Sequence, residues 1–165
     1  MARTDSFFIR ASTLTDGTNY NQSAIDLGAY VDALGKSVLR IHNISVQYGT
    51  PMEIIGTPAN GTHTPSAFQL TTQSQSAMVD LTNRSVVSSG RIEISNDIDG
   101  VLNLLNDTID VGPQDFTDGY LIAVEQMYLG VDQGFDSVSQ ISIVLECTVE
   151  TMTQAAAMAL ALSQQ

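Results

Sequence analysis

The chain has 165 residues, enough for one domain, and a domain of this size buries roughly 68–70% of its unfolded surface without metal or disulfide staples. Six Lys and Arg against 18 Asp and Glu leave a net charge of −12. That balance excludes the clustered positive charge a nucleic-acid or anionic-membrane binder needs, and a single cysteine excludes an intrachain disulfide or a multi-cysteine zinc site. Polarity comes from 32 Ser and Thr and 20 Asn and Gln, with only one Lys, which suits pleated sheet and turns better than helix surfaces.

Arg10 cuts the first apolar stretch after three residues, so the sequence predicts no N-terminal export signal, and no run approaches the ~20 residues of a spanning helix. Residues 1–20 read as an arm with a short strand at Phe7–Ala11. Ala24–Val31 fits a strand or a short helix, weakened by Asp26 and Gly28. Ser37–Tyr48 is a long strand whose apolar parity switches from Leu39 and Ile41 to Ile44, Val46 and Tyr48. One inserted residue near His42 and Asn43 accounts for that, a β-bulge. A Pro-bearing loop is expected from Gly49 to Pro65, followed by strands at Phe68–Leu70 with its Thr/Gln/Ser continuation, Ala77–Leu81 and Arg91–Ser95. Thr108–Val111 is a weaker candidate. Tyr120–Val131 is apolar at both parities, as for one central strand covered on both faces.

After turn residues at Asp132–Ser137, Ile141, Ile143, Leu145, Cys147 and Val149 alternate with mostly polar neighbours, a strand with one buried face. Cys147 falls on the apolar parity and reads as a buried, inert thiol. The Ala-rich stretch within 153–165 is the one expected helix. Seven or eight strands without amphipathic helices between them, joined by turns such as Asp16-Gly17 and Asp118-Gly119, predict an all-β, two-sheet antiparallel β-sandwich. Residues 1–165 then form a single domain with a C-terminal tail at 153–165.

Chemistry-bearing patterns are few. His42 and His63 sit in separate segments and read as unrelated. No Gly-x-Ser-x-Gly turn or phosphate-binding Gly loop occurs, so no catalytic residue and no cofactor is assigned. Asp97 and Asp99, in an acidic turn, are weak candidates for calcium, a hard cation that prefers oxygen ligands. All six basic residues precede position 92 and twelve acids follow it. If that asymmetry carries into space, one surface is strongly negative. Asn-x-Ser/Thr occurs at Asn21, Asn43, Asn60, Asn83 and Asn106, a modest excess of glycosylation acceptors. Ala155, Ala156, Met158, Leu160 and Leu162 in the tail are the candidate subunit contacts.

The stretch from Ile25 through Leu39, Arg40, His42 and Ile44 resembles the early strands of small single jelly-roll structural proteins from icosahedral viruses of archaea and bacteria. The wider layout is similar too: an N-terminal arm, about eight short strands and a C-terminal tail. The resemblance implies a jelly roll of capsid type that assembles into oligomeric capsomers, with copies of itself and other virion proteins as partners. It places the chain in the virion, assembled in the host cytoplasm. An arm bearing only Arg3 and Arg10 departs from genome-contacting capsid arms, so no direct nucleic-acid contact is expected. Two other classes compete on the same sequence. One is an extracellular ligand- or carbohydrate-binding β-sandwich, with calcium as its candidate metal; the other is a sandwich-fold hydrolase.

Overall fold

A computed structural model describes residues 4–32, 36–53 and 56–165. Arg3, and residues 33–35 within the stretch that carries the resemblance, lie outside the described residues. Nine strands are described: β1 (Phe7–Leu14), β2 (Asn21–Asp26), β3 (Ser37–Tyr48), β4 (Thr62–Thr71), β5 (Val86–Asn96), β6 (Leu102–Val111), β7 (Tyr120–Ile122), β8 (Gln126–Gln133) and β9 (Gln140–Thr151). A 3-10 turn at Pro113–Asp115 and a C-terminal helix α1 (Gln154–Ser163) complete the chain.

The strands form two antiparallel sheets, ordered β1-β9-β3-β7 and β2-β8-β4-β5-β6. First pairs with last, second with second-last and third with third-last, as β1 with β9, β2 with β8 and β3 with β7. Successive strands alternate between sheets from β1 to β4 and from β6 to β9, while β4, β5 and β6 share the larger sheet. A long antiparallel ribbon wrapped over itself in this way is a jelly roll, and the all-β sandwich expected from composition is the observed architecture.

Period-two patterning sets the core. On β9, Ile141, Ile143, Leu145 and Cys147 are fully buried and pair with β3 on one side and β1 on the other. The ladder between β3 and β9 shifts between Ile41 and Asn43, so the expected bulge is there and His42 is its extra residue. The bulge keeps Leu39 and Ile41 on the same inner face as Ile44 and Tyr48. Tyr48 then meets Phe68 of the facing sheet edge-on, ring centroids 6.1 Å apart.

Four expectations are corrected. Tyr120–Val131 is not one central strand. Its first part is the edge strand β7 of the smaller sheet, Ala123–Glu125 turns the corner, and the rest is β8 in the larger sheet. Both parities are apolar because the chain changes sheets, so both sets of side chains find an interior. Ala77–Leu81 is not a strand either. Its backbone pairs instead with one buried side chain: Gln69 Nε2 donates to the Ala77 carbonyl (3.0 Å) and Gln69 Oε1 accepts from the Val79 N–H (2.8 Å). The Thr/Gln/Ser stretch after Thr71 leaves the sheet at once. Finally, the Gly49–Pro65 segment is not all loop, since β4 starts at Thr62 and carries Pro65 in its middle. The Pro65 carbonyl accepts from the Gly134 N–H just beyond the end of β8, and the missing Pro65 N–H lies on that same side, so no hydrogen bond to β5 is lost.

Of the two readings of Ala24–Val31, the strand is right as far as Asp26, after which the Tyr30 and Val31 N–H groups close a turn on the Leu27 carbonyl. The tail forms the expected helix, N-capped by Thr153, whose Oγ1 accepts from the Ala156 N–H. Among the described residues no helix is long and apolar enough to cross a membrane.

Candidate functional site

Three surface features have the geometry to do something. The first is a cleft of about 1000 Å³ on the outward face of the five-stranded sheet. Its floor is Ala67, Ser89 and Arg91, paired across β4 and β5, and one wall is the Met78–Leu81 segment that Gln69 holds down. Asp110 of β6 and Asp132 of β8 lie at its sides. Burial pushes the Asp132 carboxyl above its ordinary range, partly offset by a backbone hydrogen bond from Gln133. Asp80 is held below that range by the hydroxyl and then the N–H of Thr82. The lining offers carboxylates and one guanidinium, with no imidazole or thiol among the described residues. Beside these charges the cleft presents apolar walls from Met78, Val79, Leu81 and Ile109.

The second feature is helix α1. Ala157 and Ala161 are buried against Val38 and Ala123 on the outer face of the smaller sheet, and Leu160 packs partly into the same cluster. The candidate contact residues therefore divide. Ala156 is half-buried, whereas Ala155, Met158 and Leu162 face solvent, Leu162 at 69% exposure. With Ala159 they follow i, i+3, i+4, i+7 spacing, an apolar stripe on the side of the helix away from its own sheet. The helix end is locked in place. Gln164 Oε1 accepts from the Ala123 N–H (2.9 Å), its Nε2 donates to the Leu121 carbonyl (2.6 Å), and its own carbonyl accepts from the Thr72 hydroxyl.

The third feature escaped the sequence reading. β6 begins six residues before the expected Thr108. Val101, Leu102, Leu104 and Leu105 are each about half exposed, and Ile98 in the preceding turn is 82% exposed. An available signal was the run Val101-Leu-Asn-Leu-Leu105 itself, which lacks clean alternation because neither of its faces is fully covered.

The remaining candidates are not brought together. Asp97 Oδ1 accepts from the N–H groups of Asp99 (2.9 Å) and Val101 (2.8 Å), so that carboxylate closes its own hairpin turn. No group of three or more His, Cys, Asp or Glu poised for a metal occurs among the described residues. No family model matches this chain, and neither does any curated protein. His42 and His63 lie on different sheets, the first hydrogen-bonded to Thr148 Oγ1 (2.9 Å), the second exposed and 3.6 Å from Glu93. Desolvation and the nearby Glu146 push the Cys147 thiol up to about 12. The acid-rich second half does not form a separate face of the smaller sheet, because β9 lies between the Arg-bearing strands β1 and β3. Among the acceptor asparagines, Asn21, Asn60 and Asn83 use their side chains in local hydrogen bonds. Asn43 is exposed at the bulge, and Asn106 lies in β6.

Proposed function

We propose that the chain is a structural subunit that assembles with copies of itself into a shell, as a single jelly-roll major capsid protein of an icosahedral archaeal or bacterial virus. The observation that carries this reading is the outward stripe of α1: Ala155, Met158 and Leu162 stand exposed on a helix apolar on every side. Such a helix is normally covered all round. From Thr151 to Gln165 the chain has no charged side chain, while the whole molecule carries −12. Copies that repel one another elsewhere can approach there, with roughly 25 cal/mol per Å² of apolar surface covered. Closed symmetry turns such a contact into a finite assembly. The jelly-roll connectivity agrees with this role without deciding it, since one fold serves many functions. Partners are then copies of the chain in capsomers and other virion proteins, and the site of action is the virion.

The test is light scattering and negative-stain imaging of the purified protein beside a Met158→Glu/Leu162→Glu variant. The parent is expected to form large particles and the variant to remain small with its melting temperature nearly unchanged. A parent that stays monomeric at every concentration overturns the reading. Deleting residues 154–165 is a poorer test, because it also strips Ala123 and Leu121 of the Gln164 hydrogen bonds.

A second reading, a ligand- or carbohydrate-binding sandwich, is favoured by the cleft beside Arg91 and Asp132. It predicts a rise in melting temperature with an added sugar, lost in Arg91→Ala, or with calcium, lost in Asp132→Asn.

A further inference from the structure

The two sheets differ by one strand, and the surplus strand is β6, at the end of the larger sheet. Directly paired residues share a face, so Leu104 opposite Ile94 and Leu102 opposite Asn96 lie on the face that carries the core residue Ile92. The smaller sheet ends before reaching them, which is why both leucines stand about half exposed on an inward-directed face. Leu105, opposite Glu93, is exposed on the other face.

β6 is also an edge, and one edge of its backbone lacks a strand partner among the described residues. Natural edges are blunted by shortness, by charge, by proline, by a bulge or by a covering segment. The other three edges use these devices. β7 has three residues, β1 carries an exposed Arg10, and the loop after β4 reaches over β2 through Ser74 and Gln22. On β6 a bulge sets residues 108–110 against the single Gly90, protecting only the C-terminal half. From Gly100 to Leu105 there is no charge and no proline.

We infer that this half-edge pairs with the same half-edge of a second copy, antiparallel across a two-fold axis passing near Leu104. The inference rests on the self-assembly reading and gives it a second interface beside the α1 stripe. Two observations choose the occupant. An unpaired backbone edge is completed by another extended strand, and a strand edge is complementary to itself under a two-fold. In addition, Gly100–Leu105 is uncharged on a −12 molecule, so two copies meet least repulsion at its centre, the acids Asp97, Asp99 and Asp107 lying toward the ends of the contact. Regular pairing with β5 spans Leu102–Asp107, whose midpoint falls between Leu104 and Leu105, and Leu104 is the one of the two on the inward face. Two five-stranded sheets then join into one, and the two Leu104 side chains cover each other across the axis, each with the other copy's Leu102 as a diagonal neighbour.

The buried, unreactive Cys147 makes the test clean, because an added cysteine is then the only reactive thiol. Leu102→Cys, Asn103→Cys, Leu104→Cys and Leu105→Cys are made singly and oxidised with copper-phenanthroline. Each step away from the axis separates like residues by about 7 Å, beyond disulfide reach, so disulfide-linked dimer is expected at one position, Leu104, and little at its neighbours. Leu104→Lys is expected to weaken dimerisation at least about tenfold, measured by sedimentation, with melting temperature unchanged. Association without any disulfide peak, or unaffected by Leu104→Lys, assigns the edge to another segment and overturns the inference while leaving self-assembly standing. A parent that never associates overturns both.

Discussion

Arg40 sits on the outer face of β3 with its guanidinium bidentate on Glu150 of β9, Nε to Oε1 at 2.6 Å and Nη2 to Oε2 at 2.9 Å, while Nη1 donates to the Asp118 carbonyl. The hydrogen bond to Glu150 is the main reason the Arg40 pKa is raised. Glu150 is 4% exposed, so Arg40→Met leaves a buried carboxylate without its cation and is expected to cost about 3–5 kcal/mol in urea unfolding. Adding Glu150→Gln to that variant should recover much of the loss. Asp132 behaves in the opposite sense. Its pKa is raised in the folded state, so the stability tied to its protonated form is full below the ordinary carboxylate range and is lost as pH rises through the raised value. Asp132→Asn should therefore melt higher than the parent at pH 7, with the gap closing as pH falls toward 3. Cys147, pushed up to about 12, holds a negligible thiolate population at pH 8. A thiol reagent should label it only as fast as the protein unfolds.

At the level of elements, two glutamines replace missing strand pairing. Gln69 bonds the Ala77–Val79 backbone and Gln164 bonds the Leu121–Ala123 backbone, each through both ends of its amide. Gln164→Leu keeps similar bulk and removes both bonds, stranding a buried N–H at Ala123; the expected loss is about 1–3 kcal/mol, read from thermal melts. The same substitution at exposed Gln165 should change little. These glutamines mark where sequence patterning stops being informative. Alternation made β9 legible, and a parity switch made the His42 bulge legible, because both are local consequences of one buried face. Ala77–Leu81 is apolar enough for a strand, but its partner is a side chain that no period encodes. In Tyr120–Val131 the change of sheet depends on a corner that apolar residues at both parities conceal. The candidate surfaces divide likewise. The apolar helix of α1 was legible, but the sequence alone does not separate its outward Ala155, Met158 and Leu162 from Ala156 and Leu160, which are part-buried. The cleft draws on β4, β5, β6 and β8, strands brought together only by the wrapping of the ribbon.

For the whole molecule, charge and contact surface pull in opposite directions, and salt separates them. With −12 overall, two copies repel over a range set by the Debye length, about 30 Å at 0.01 M ionic strength and about 8 Å at 0.15 M. The surfaces argued to meet, the outward stripe of α1 and the N-terminal half of β6, are apolar and attract through burial, which moderate salt leaves intact. Few cations remain to build an ionic interface: Arg40 is engaged with Glu150, and Arg84 donates to the Gln165 carbonyl. Raising sodium chloride from 0.01 M to 0.15 M at fixed protein concentration should therefore increase the weight-average mass seen in sedimentation. In Leu104→Lys with Met158→Glu and Leu162→Glu, the mass should stay near that of one chain at both salt levels. An assembly held by ion pairs behaves the other way and falls apart as salt is added. A decreasing mass would therefore move the interface off these two apolar surfaces and onto the remaining cations Arg3, Arg10, Lys36 and Arg91.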